Sequence, residues 1–167
     1  MKKLKGFTLI ELIVVIAIIG VLAAILVPSM LGYVKKAKIE GANSSASALH
    51  RAISAYIHDL DFDDAGIPDG IHTISKGTYT STETDAMKDF GKGIKPYFSK
   101  INDIEGAFYV YFGECTSAAV RSGKYYGTYP ILFNSNNWSK YSDKVTSPVV
   151  AVNTVMTEKG LETVEKK

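Results

Sequence analysis

The chain has 167 residues, 46% hydrophobic and 22% charged, with 19 basic and 17 acidic side chains and a formal charge of +2. That size suits one compact domain, the composition is too apolar for a disordered chain, and so small a charge does not by itself suggest a nucleic-acid binder. A single cysteine, Cys115, excludes an intramolecular disulfide and a thiolate zinc cluster.

In chain order, residues 1–6 carry Lys2, Lys3 and Lys5 and end in Gly6. From Phe7 to Gly32 there follow 26 residues with one charge, Glu11. As a helix this run would reach about 39 Å at a rise of about 1.5 Å per residue, more than the ~30 Å of a bilayer core. It exceeds the about 7–15 apolar residues of a secretory signal, and no small-x-small cleavage pattern follows it. Three lysines precede the run, and Lys35, Lys36 and Lys38 follow it, so the positive-inside count ties. The short tail and the long polar remainder favour tail in, head out. Glu11 is the anomaly, because a carboxylate at bilayer depth costs several kcal/mol. It either snorkels from near the helix end or awaits a cation. The chain has no lysine or arginine between Phe7 and Tyr33, so such a cation would be supplied from elsewhere, for instance by a new α-amino group after proteolysis.

The stretch Lys5-Gly6-Phe7-Thr8-Leu9-Ile10-Glu11, followed by Leu12-Ile13-Val14-Val15-Ile16-Ala17-Ile18-Ile19-Gly20, resembles the type III signal of type IV pilins and related pseudopilins. The resemblance covers about residues 1–35. It implies that a prepilin peptidase cuts between Gly6 and Phe7 on the cytoplasmic side and that Phe7 is then N-methylated. It implies a single-pass protein of the cytoplasmic membrane, held by membrane lipid until a pilus assembly platform extracts it into a helical homopolymer of its own copies at the cell surface. Glu11 would then meet the α-amino group of Phe7 on a neighbouring subunit, setting the assembly register. Pro28 matches the family's helix-kinking proline. Its chemistry permits either a simple kink or a segment that gives up helicity when subunits pack. Gly6, without a side chain, lets a protease approach the scissile bond closely. Cleavage removes three lysines and leaves 16 basic and 17 acidic side chains.

Beyond the run, Ala42, Ala46, Leu49, Ile53, Tyr56 and Leu60 form an amphipathic stripe, with Asn43, Ser44, Ser47, His50 and Arg51 on the opposite face. One helix is therefore predicted over 7–60, about 80 Å long if straight. Next come acidic turn formers from Asp59 to Gly70. Asp59, Asp61 and Asp63 have the spacing of a calcium loop, but Asp64 stands where glycine belongs and Gly70 where glutamate belongs, so the expectation is a solvated loop and no metal site. Residues 83–101 read as one or two short helices, with Pro96 near a helix start. Gly91-Lys92-Gly93 lacks a third glycine and is not read as a phosphate loop. Residues 107–112, 129–133 and 148–156 read as strands of an antiparallel sheet with one face on the helix stripe and the other wet.

The predicted fold class is α+β, type IV pilin-like, a long N-terminal α-helix packed on a small C-terminal antiparallel sheet head. Its parts are a leader (1–6), a transmembrane or filament-core half of the helix (7–32), an amphipathic half (33–60), a globular head (61–157) and a charged tail (158–167). No catalytic residue and no cofactor is expected. His50, His58 and His72 are the only histidines, His50 and His58 lie two turns apart, and no nucleophile elbow is present. Many pilins of the Gram-negative type have a C-terminal cysteine pair; Cys115 stands alone here, which fits a Gram-positive source or a pseudopilin, and it reads as a small buried residue. Tyr125, Tyr126 and Trp138 sit among Gly, Ser, Asn and Lys. They either cap the sheet and core or stand out as glycan contacts, making a polysaccharide or surface ligand a candidate partner; nucleic acid is left open. The family's uses include an adhesion or motility pilus and the pseudopili of DNA uptake and type II secretion. Removing six residues from 167 leaves 161, a length that suits a major pilus subunit.

Overall fold

The computed structural model describes residues 7–60, 66–81 and 90–161. The chain forms two compact units, residues 1–36 and 37–167. Helix α1 runs from Leu9 to Asp59. Its apolar residues from Leu9 to Val34 are exposed on every side, the pattern of a helix whose surroundings are lipid or other protein rather than its own chain. It is long and apolar enough to cross a membrane.

In the second unit, α1 buries Ile39, Ala42, Asn43, Ala46, Leu49, Ala52 and Ile53. Four residues of the predicted stripe are thus core, and Tyr56 and Leu60 pack half-buried against it. Asn43, assigned by periodicity to the polar face, is buried instead.

Five antiparallel strands follow: β1 (Gly70–Ser75), β2 (Thr78–Ser81), β3 (Glu105–Tyr111), β4 (Glu114–Ser122) and β5 (Tyr125–Tyr129), in the spatial order β2-β1-β3-β4-β5. Of the expected strands, 107–112 is realised almost as drawn. The segment 129–133 is not, because β5 ends at Tyr129 and Pro130 has no N–H to continue a ladder. Alternation divides β3 and β4 between two cores. Phe108, Val110, Ala118 and Val120 join Leu49 and Ile53 of α1. Ala107, Tyr109 and Ala119 join a second cluster on the other face.

That second cluster overturns two expectations. Residues 148–156 are not a strand; they lie in helix α4 (Pro148–Lys159), which covers the sheet face expected to be wet. Ser147 caps α4, its Oγ accepting the Val150 N–H at 3.3 Å, Pro148 occupies the first turn, and Gly160 closes the end at φ +63. These are helix start and stop signals, and they override the β propensity of the valines. Glu158 and Lys159 likewise belong to α4 rather than to a tail. The remaining elements are α2 (Phe90–Ile94), a 3-10 turn (Ile101–Asp103) and α3 (Trp138–Tyr141).

The helix seats on the sheet at Gly127. A Cβ built there would lie 1.9 Å from the carbonyl carbon of Ala42 and 2.1 Å from the Asn43 nitrogen, so only glycine permits this backbone approach.

Candidate functional site

The segment that carries the predicted chemistry lies at the start of α1. Gly6 lies outside the described residues; Phe7 is 89% exposed. Thr8 precedes the first helical residue, and Glu11 stands three positions on. Glu11 Oε2 accepts the Thr8 backbone N–H at 2.8 Å and the Thr8 hydroxyl at 2.7 Å, while Thr8 Oγ1 accepts the Glu11 N–H at 3.3 Å. This is a capping box. It satisfies free donors of the first turn and sets the anion at the positive end of the helix dipole. The acid, read from sequence as stranded, already has partners in its own chain. Thr8 was missed as a partner, although the spacing Thr8-x-x-Glu11 before an apolar run is legible as such a box.

Pro28 lies within the range of α1. Lacking an N–H, it leaves the Ala24 carbonyl without its amide partner. One residue on, the Ser29 hydroxyl donates to the Leu26 carbonyl at 2.8 Å.

The proposed glycan contacts are corrected. Tyr125, Tyr126 and Trp138 are buried in the α4-side core. Trp138 stacks with Tyr126 at 6.2 Å between centroids and meets Phe133 edge-on at 5.5 Å, and the Tyr126 hydroxyl donates to the Thr146 carbonyl at 2.8 Å. Their faces are spent on one another, so none is presented to a sugar. On the described surface of the head, Phe112 in the turn between β3 and β4 is 80% exposed.

His72 is fully buried, stacks on Phe108 and shares a 2.7 Å hydrogen bond between Nε2 and the Pro68 carbonyl. His50 Nε2 makes the same contact with the Cys115 carbonyl at 2.7 Å. A carbonyl can only accept, so each ring donates from Nε2, and neither Nδ1 finds a partner among the described residues. Burial pushes both imidazoles below their ordinary range, against the opposing pull of those carbonyls. Burial likewise pushes the Cys115 thiol up to about 12. Among the described residues no group of three or more His, Cys, Asp or Glu is placed to hold a metal ion. Asp61, Asp63 and Asp64 of the calcium-like spacing lie outside them.

Residues 1–27 match the family model described as the prokaryotic N-terminal methylation motif. A type IV major fimbrial protein FimA of Dichelobacter nodosus is 35% identical over 126 residues, 72% of this chain and 80% of the relative. A fimbrial protein of Pseudomonas aeruginosa is 39% identical over 85 residues, 51% of this chain and 49% of its own length. The type II secretion system core protein G of Escherichia coli strain K12 is 48% identical over 54 residues, 32% of this chain and 37% of the relative. No solved structure matches.

Proposed function

The chain belongs to the type IV pilin family, and on that premise we propose that it is a structural subunit cut between Gly6 and Phe7 by a prepilin peptidase, N-methylated at Phe7 and polymerised into a surface filament. Before assembly it sits in the cytoplasmic membrane through residues 7–32, tail inward. The observation that supports this reading is the Thr8–Glu11 box at the head of an apolar helix exposed on all sides. It holds one carboxylate oxygen in a fixed place one turn from the ammonium that cleavage would create. An ammonium–carboxylate pair in an apolar core adds little net stability, whereas a misplaced subunit leaves a charge buried and unpaired. Glu11 thus acts as a register device between the α-amino group of one Phe7 and the next chain. Pro28 serves as the point where α1 bends.

The match over 126 residues to a major fimbrial protein supports a pilus; a pseudopilus is the alternative, its representative matching over 54 residues, as some fimbrial proteins also do. Mass spectrometry of filaments sheared from the native cells tests the proposal. The expected N-terminus is methylated Phe7; filaments made of chains still starting at Met1 would overturn it. Glu11→Val should remain in the membrane fraction and yield no filaments.

A further inference from the structure

We propose that the hairpin at one end of the head sheet docks into a cavity at the opposite end of a second copy of this chain, with Phe112 seated in the cavity. The contact rests on the filament-subunit reading and specifies one of its interfaces.

The projecting part is the turn Phe112-Gly113, with both residues at positive φ (50 and 73). Asn-Gly suits such a two-residue turn; a bulky L-residue at positive φ is strained. Packing inside the chain does not offset that strain, because the ring is 80% exposed. The ring is nonetheless braced. Tyr111 meets it edge-on at 4.5 Å between centroids, and the Gly113 N–H donates to Asp69 Oδ1 at 3.3 Å. Asp69 and Glu114, both exposed, give this end of the sheet two carboxylates.

The receiving part lies where Ser75 pairs with Glu105 and Glu105 with Arg121. The start of α4 leaves there a cavity of about 310 Å³, lined by Thr73, Gly106, Pro148, Val149 and Arg121 among others. Exposed Lys76, in the β1–β2 turn, and Lys124, in the β4–β5 turn, stand at the same end. Arg121 is tied to Glu105 at 3.0 Å, and the exposed Lys100, just before the 3-10 turn, balances the exposed Asp103 within it in number, so the two turn lysines set the sign. The seven residues of β3 hold the two ends about 20 Å apart at ~3.3 Å per residue, and a molecule's own hairpin cannot turn back into its own cavity.

A lone exposed phenylalanine needs no explanation. An aromatic between two acids at one end, and a cavity between two lysines at the other, fit together only across two copies. Because the two patches differ, the contact is heterologous and leaves each copy a free patch for the next, as a filament requires. The charges fix orientation, and the ring supplies the buried anchor.

Two experiments on the full chain in its native cells test the contact. Oxidation of filaments from the double variant Phe112→Cys with Ser75→Cys should give a ladder of covalent multimers on a denaturing gel, with no ladder from either single variant. Separately, Glu114→Lys should lower filament yield at least tenfold, and adding Lys124→Glu should restore it. Filaments of the cysteine variant without a ladder would overturn the contact. So would Glu114→Lys filaments at wild-type yield, or loss with no rescue from a chain that keeps its native circular dichroism. If the unaltered chain makes no filaments, the subunit reading itself fails, a result separable from the others.

Discussion

The side chain of Asn43 completes the outer edge of β5 at Thr128. Its Oδ1 accepts the Thr128 N–H at 2.9 Å, and its Nδ2 donates to the Phe133 carbonyl at 2.8 Å. Helix α1 thereby serves as the neighbour that an edge strand lacks. Asn43→Leu removes both bonds and leaves a buried donor and acceptor unsatisfied. The expected cost is about 2–6 kcal/mol, at ~1–3 per orphaned group, seen as a lower urea midpoint for the detergent-solubilised chain. An unchanged midpoint would show that water or a backbone shift takes over both bonds.

Gly127→Val should destabilise the head by a different route. A side chain there meets the backbone of Ala42, not a flexible tip, so the helix must lift from the sheet. Overpacking typically costs about 1–3 kcal/mol and exceeds that where backbone obstructs. Limited proteolysis should cut the variant within the head under conditions that leave the parent chain intact.

Stability of the head should fall with acidification. His50 and His72 have folded pKa values below the ordinary 6.5. The folded state therefore binds fewer protons than the unfolded one once pH drops beneath 6.5, and unfolding is favoured progressively until the depressed folded values are reached. Above 6.5 the two states bind alike and the cost vanishes. For His50 the neighbouring Arg51 adds to the depression, whereas Asp69 opposes it at His72. Urea titrations between pH 7.5 and 5.5 should show a falling midpoint, and His72→Leu should flatten the slope.

Cys115 should be inert. With its thiol pushed up to about 12 by burial, the thiolate fraction at pH 8 is on the order of 1 in 10,000, and the thiolate is the nucleophile. Maleimide at pH 8 should label the folded chain negligibly and label it fully in denaturant. Rapid labelling of the native form would place the side chain at the surface.

The long helix is legible because 26 residues with one charge admit few alternatives, and the stripe from Ala42 to Ile53 because burial follows its period. Residues 148–156 misled for a specific reason. Val149, Val150, Val152 and Val155 carry β propensity, yet the buried set Ala151, Val152, Val155 and Met156 recurs at helical spacing between a Ser-Pro start and a Gly stop. The short strands β1 and β2 were legible, because Ile71, Thr73 and Ile74, then Thr78, Tyr79 and Thr80, are strand formers on either side of a Lys76-Gly77 turn; β4, with Ser117, Ala118 and Ala119 at its centre, carries the weaker signal. Tyr125, Tyr126 and Trp138 stayed open between core and glycan contact because their sequence neighbours are polar; their burial depends on α4, which the valines disguise. Only part of the site is local information. Thr8 and Glu11 form their box within a single helical turn, whereas the approach of Gly127 to Ala42 joins residues 85 apart.

Helix α4 closes the sheet face that α1 leaves open, and it is the last element the structure describes. Until α4 packs, the head thus remains half-sided, with Ala107, Tyr109 and Ala119 bare to solvent. A chain cut before Pro148 would therefore carry a sticky surface that quality-control proteases can recognise.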